Sequence, residues 1–357
     1  MISMEFKKDF NEAKKRWDAF WKHENTRPMI KIVTPKEGVA PAAPPPYLAG
    51  HDGIYEPAVD QMLAWGESCE FVGEAMPYYI LEFGPDTFSA YLGADLDFEH
   101  VHTNTSWSVP FIKDWDDVEI KFRRDSVWWQ RTVDFTGAIR ARCDGKLLIA
   151  PPTLVANLDS LAAMRGVENL LTDMVDCPEK VIRALDCVCR AHSEILQAYS
   201  ELFAFDTYGS VNVEGFYTSG RHSRPQCDMS CMINSEMFRE FVIPALEREA
   251  ADADAMVYHL DGPDAIRHVE ALCEMESLDL ISWVPGPQNP NEDWAWLYNK
   301  IANYKKGYSR YIADHEELLR MCENPHARRL CLSTSASSKM EAEDLIAGVE
   351  KVCQSAV

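Results

Sequence analysis

The stretch Met256-Val257-Tyr258-His259-Leu260-Asp261-Gly262-Pro263 holds the residues whose types and spacing are best suited to chemistry. An apolar run leads to His259 and Asp261, then to a Gly-Pro turn and a helical pattern of Ile266, Val269, Leu272 and Cys273. The pattern predicts strand, turn and helix, with Pro263 suited to a first helical turn. Side chains two apart on a strand share a face, so His259 and Asp261 point the same way at its C-terminal end. That end is where α/β barrels and open α/β sheets keep their active sites. An imidazole beside a carboxylate there acts as a general base or as a pair of metal ligands. The plain alternative is a structural histidine next to an aspartate that caps the helix.

Glu214 ends a second apolar run, Val211-Asn212-Val213, and is expected at a pocket rim. A half-buried carboxyl there has a raised pKa and works as a general acid; the alternative is an ion pair with Arg221 or another cation. His259, Asp261 and Glu214 are therefore the catalytic candidates. Other strand ends offer Trp283, Ser333 and Ser335, and the loops offer Tyr217, Arg221, His222, Gln226, Asp228 and Gln288. Of these, Tyr217, Arg221, His222, Asp228, Trp283, Gln288 and Ser335 are expected to contact substrate. Arg221, His222 and Arg224 suit a substrate carboxylate, or else sit solvated. Trp283 either stacks on a planar ligand or packs in the core. If Glu214, Asp228 and Asp261 ring one pocket, a lyase or hydrolase using paired carboxylates is a second reading. A barrel that binds a small ligand without catalysis is a third.

These residues need a scaffold, and composition limits what it is. The 357 residues are 46% hydrophobic and 26% charged, enough for a sizeable core and against global disorder. A net charge of −22 argues against nucleic acid and anionic membrane surfaces as partners. No stretch is long and apolar enough for a transmembrane helix, and the charged start (Glu5, Lys7, Lys8, Asp9) does not resemble a signal peptide, so a cytoplasmic protein is expected. The eleven cysteines are scattered without a C-x-x-C pair, which predicts reduced thiols rather than a disulfide framework.

The chain is expected to be one domain over 1–357, with N-terminal helices and a Pro-rich loop in 1–75 and the barrel body in 76–357. Residues 5–24 form an amphipathic pattern, 27–33 a first strand, Pro35 to Pro46 a loop, and 55–75 a helix. The aromatic-rich region 76–130 either lines a pocket or packs as core. From 147 onward strands and helices alternate, with strands at 147–150, 209–214, 256–260, 279–284, 308–313 and 330–334. Alternating β and α units predict a parallel sheet, and this many favour a closed (β/α)8 TIM-type barrel with an N-terminal helical and aromatic-rich extension.

Several segments then carry a family resemblance. They are Leu92-Gly93-Ala94; Ala150-Pro151-Pro152-Thr153-Leu154-Val155-Ala156 leading to Asn169-Leu170-Leu171-Thr172-Asp173-Met174 and Cys177-Pro178-Glu179-Lys180-Val181; Met232 to Pro244; and the His259 strand. In this order they resemble the uroporphyrinogen decarboxylase superfamily of (β/α)8 barrels, which includes corrinoid-linked methyltransferases. The haem-pathway decarboxylase itself is not implied. Its substrate-holding arginines have no counterpart in Met29-Ile30-Lys31-Ile32-Val33, and Asp86 lies at the wrong spacing from Leu92-Gly93 for the catalytic role. The zinc methyltransferases of the superfamily carry His-x-Cys where this chain has His259-x-Asp261, and Cys331 sits early in its strand. The resemblance implies transfer of a methyl group from a small methoxy or methylamine substrate to a corrinoid carried on a partner protein. It also implies a homodimer and, through His259 and Asp261, a zinc site.

Overall fold

A computed structural model describes residues 3–98, 105–286 and 292–355. In chain order the strands are β1 (Met29–Pro35), β2 (Cys69–Gly73), β3 (Tyr78–Ile80), β4 (Asp95–Asp97), β5 (Trp107–Val109), β6 (Leu148–Ala150) and β7 (Ser210–Val211). They continue with β8 (Tyr217–Thr218), β9 (His222–Ser223), β10 (Ala255–Asp261), β11 (Leu280–Val284), β12 (Gly307–Tyr311) and β13 (Cys331–Thr334). The largest sheet runs β2-β1-β13-β12-β11-β10-β9, parallel throughout except for β2. A second parallel pair joins β3 to β6, and β7 forms a hairpin with β8. The anticipated α/β fold with a central parallel sheet is present. Its ladders form separate sheets among the described residues rather than one continuous ring.

Two segments depart from expectation for local reasons. The helix expected over 55–75 stops at Glu67, and Cys69-Glu70-Phe71-Val72-Gly73 pairs antiparallel with the free edge of β1. The strand expected over 209–214 is paired only at Ser210–Val211, because the chain turns back at Asn212. Asn212 Oδ1 accepts the backbone N–H groups of Glu214 at 3.0 Å and Phe216 at 3.1 Å. Gly215, at φ +75°, supplies the left-handed residue this turn needs. Glu214 therefore sits on a hairpin turn, not on a strand.

The core also decides which end of the sheet is open. The helix Phe10–Trp21 buries Phe10, Ala13, Trp17 and Phe20. These pack in one apolar cluster with Met29, Leu148, Val211, Val257, Leu280 and Cys331, which lie at or near the starts of their strands. The fully buried Glu74 anchors this end, accepting Nη1 and Nη2 of Arg27 at 3.0 and 2.9 Å and the Ile30 N–H at 2.7 Å. The N-terminal ends of the strands are thus sealed, leaving chemistry to the C-terminal ends. In the aromatic-rich front half the packing reading is the correct one for most residues: Phe83, Phe88, Tyr91, Phe122 and Trp129 are core. Trp107, 51% exposed, is an exception.

Candidate active site

At the C-terminal side of the sheet, β10 presents His259 toward the Glu214 turn. His259 Nδ1 lies 3.2 Å from Glu214 Oε1, and Arg224 Nε donates to the same oxygen at 2.6 Å. Burial alone would raise the Glu214 pKa. The hydrogen bond from His259 and the charges of Arg224 and His259 outweigh it and hold the carboxyl well below the ordinary glutamate range. Glu214 is therefore an ion-paired carboxylate, not the general acid expected from its burial. The partner cation is Arg224 rather than Arg221. The turn is pinned from two further strands: Lys31 Nζ donates to the Glu214 carbonyl at 2.5 Å, and Tyr78 Oη donates to the Val213 carbonyl at 3.3 Å. Nδ1 is thus the ring nitrogen of His259 that this carboxylate engages. Among the described residues, Nε2 has no hydrogen-bond partner.

A line of polar contacts leads away from this pair. Arg224 Nη1 donates to Gln226 Oε1 at 2.9 Å, and Gln226 Nε2 donates to Asp228 Oδ2 at 3.2 Å. Asp159 accepts the backbone N–H groups of Asp228 at 2.8 Å and Met229 at 2.9 Å. Asp86, Asp159, Gln226 and Asp228 edge a groove of about 340 Å³ whose apolar walls include Trp107 and Met232. Burial raises the Asp159 carboxyl to about 8, with the neighbouring Asp228 and Asp86 adding to the rise. Asp228 is raised too, first by burial and then by Asp261. Asp86, whose haem-pathway role does not carry over, is thus still part of this acidic wall.

Sequence reasoning missed Glu82, two residues past β3. It is 2% exposed and accepts hydrogen bonds from Thr87 Oγ1 (3.0 Å), the Phe83 N–H (3.1 Å) and the Thr153 N–H (3.0 Å). Burial raises it to about 7 despite those bonds. Its place just beyond a strand's C-terminal end was the available signal, obscured because β3 spans only Tyr78–Ile80.

The remaining candidates scatter. Asp261 shares the His259 face as expected, but it is exposed and acts on the site through its charge on Asp228. Tyr217 is fully buried, with its hydroxyl donating to the Tyr208 carbonyl at 2.8 Å and its ring against Phe10, so it is core and not a substrate contact. Arg221 is drawn away by Gln197 Oε1 at 2.5 Å and by its own backbone bond to Asp254. His222 opens β9 beside the start of β10. Its ring sits 2.9 Å from Ser210 Oγ, and burial, then Arg224, lowers its pKa to about 4. Trp283 is 6% exposed and packs edge-on against Trp294; Ser282, its neighbour, is the residue in register with His259. Ser335 is exposed beyond β13, where its hydroxyl accepts from Tyr311 Oη at 3.3 Å. Gln288 lies outside the described residues.

The zinc expectation does not fit the donors. Among the described residues, no three His, Cys, Asp or Glu side chains are placed to hold a metal ion. Nδ1 of His259 is engaged by Glu214, Asp261 stands exposed, and Cys331 is buried at the start of β13. No helix of the described chain is long and apolar enough to cross a membrane.

No protein-family model matches the sequence, and no curated protein matches it. The fold is similar to that of a methyltransferase from Methanosarcina mazei, with a TM-score of 0.58 at 10% identity. The alignment covers 95% of this chain and 98% of that one. At that identity the likeness shows a shared fold.

Proposed function

We propose that this chain is a methyltransferase on a (β/α)8 barrel, moving a methyl group from a small methylated substrate to a corrinoid protein. The observation that carries the reading is the fold shared with a methyltransferase over nearly the whole chain. Barrel closure is supported by the single apolar cluster that gathers side chains from β1, β6, β7, β10, β11 and β13. A homodimer belongs to the same reading.

The corrinoid, brought by its partner, supplies the methyl acceptor. In this chain the groove binds the methylated substrate, with apolar walls for its carbon atoms and the carboxyls of Asp86 and Asp228 for a positive charge. Transfer breaks the bond from the methyl carbon to nitrogen or oxygen, and the electron pair stays on that heteroatom. An oxygen leaving group needs a proton. His259, oriented through Nδ1 by Glu214, is the residue assigned to supply it. An ammonium substrate leaves as a neutral amine and needs none.

The test is to incubate the purified chain with a reduced corrinoid protein and a panel of methoxy-aromatic and methylamine compounds. Formation of the methylated corrinoid would be followed by absorbance. Turnover of one substrate class supports the proposal, and silence across the panel with several corrinoid proteins sinks it. The lyase or hydrolase reading keeps one supporting observation. Its paired carboxyls would be Asp159 and Asp228, whose proximity raises Asp159, rather than Glu214 and Asp261.

A further inference from the structure

Behind the groove, a buried amide and a buried carboxyl face each other with one atom apiece unsatisfied. Asn157 is fully buried, opens the helix Asn157–Arg165 and holds a left-handed backbone at φ +49°. Its Nδ2 donates to the Gln226 carbonyl at 3.0 Å and to Glu249 Oε1 at 3.3 Å. Glu249, 1% exposed, lies on the helix Ile243–Ala251. Asn157 Oδ1 and Glu249 Oε2 are both buried without a hydrogen-bond partner among the described residues. Two buried acceptors left bare in this way would each destabilise the fold. A single proton shared between them removes both deficits.

We infer that Glu249 is folded in as the neutral acid and closes a cyclic acid–amide pair with Asn157. In it Glu249 Oε2–H donates to Asn157 Oδ1, while Asn157 Nδ2–H donates to Glu249 Oε1. The second Nδ2 hydrogen then holds the Gln226 peptide, from which the Gln226 side chain spans Arg224 and Asp228. The surroundings agree. Among the described residues, the titratable groups coupled to Glu249 are Asp159 on the helix Asn157–Arg165, Cys189 on the helix Pro178–Leu202 and Tyr258 on β10, while its chain neighbour Arg248 turns to Asp186. Burial is the largest cause and raises Glu249 from 4.5 to about 8, with the Asn157 hydrogen bond opposing it and Asp159 adding to it. Asn157 and Glu249 are thus positioning residues for the segment Arg224–Asp228. Only the description of that segment as catalytic rests on the methyl-transfer reading; the pairing does not.

The sign of the pH effect follows from the raised pKa. The native state holds a proton that the unfolded chain releases above about 4.5, so this contribution to stability declines as pH rises through about 8 and is constant beyond. The substitution Glu249→Gln reproduces both hydrogen bonds without a titrating group. Its melting temperature, relative to wild type, should climb between pH about 4.5 and 8 and then level off. The infrared difference spectrum, wild type minus Glu249→Gln at neutral pH, should contain the carbonyl band of a protonated carboxylic acid that shifts in D2O. A flat melting difference across that window, a difference spectrum without that band, or failure of Glu249→Gln to fold would each overturn the inference. None of these readouts depends on methyl transfer.

Discussion

Glu214 Oε1 receives Arg224 Nε at 2.6 Å and faces His259 Nδ1 at 3.2 Å, so one carboxylate oxygen ties the turn after β7, the loop after β9 and the strand β10. The contact has electrostatic consequences that can be measured. Its pKa is depressed, so its contribution to stability exists above the ordinary value of about 4.5 and is lost as pH falls through the lower folded value. Glu214→Gln should be less stable than wild type at neutral pH, and the gap should narrow steadily below pH about 4.5. Urea unfolding at a series of pH values checks this; a gap that widens on acidification contradicts it.

His259 is the proton carrier in the proposed transfer. Its replacement by Gln should slow turnover of a methoxy substrate about 10²–10⁴-fold while leaving the circular dichroism spectrum unchanged. A quaternary ammonium substrate, which needs no proton, should be nearly unaffected. Equal losses with both substrates would assign His259 a structural role instead.

Asp159 and Asp228 titrate as neighbours. Burial is the larger cause of the Asp159 value of about 8, and Asp228 is the next. Asp228→Asn should therefore lower the Asp159 pKa, read by carboxyl-carbon NMR, without returning it to the ordinary range. The same change should weaken binding of a methylammonium ligand about tenfold, a loss near 1.4 kcal/mol. A neutral methoxy ligand should bind Asp228→Asn as it binds wild type.

Tyr217 separates core from site. Removing only its hydroxyl, in Tyr217→Phe, leaves the Tyr208 carbonyl without its donor and should cost about 1 kcal/mol of stability. Tyr217→Ala also empties a fully buried ring position and should cost about 3–5 kcal/mol. KM should stay unchanged in Tyr217→Phe. A large KM change there would return this residue to the substrate site.

The sequence was most legible where a pattern is local. The alternation of apolar runs and helical periods located β6 and β10 to β13 within one or two residues, because side-chain period follows directly from backbone geometry. It also placed His259 and Asp261 on one face of β10. It failed at Cys69–Gly73, where a short segment after a helix became a strand only because the edge of β1 was available to pair. It failed again at Tyr217, expected on a loop to contact substrate. A single backbone carbonyl satisfies its hydroxyl inside the core.

By itself, the sequence determined the α/β architecture and put a histidine and a carboxylate at the open end of a strand. Periodicity and composition act through neighbours along the chain, and that information is complete in one dimension. Only the tertiary structure decided that Arg224, ten residues past Glu214, would be its cation and that Asp159 would join Asp228 at the groove. It also decided that Asn157 would meet Glu249 across 92 residues. Charge state depends on what surrounds a group in space. Burial pushes a carboxyl up and a nearby cation pulls it down, so Glu214 and Glu249, alike in sequence, are held on opposite sides of the ordinary value.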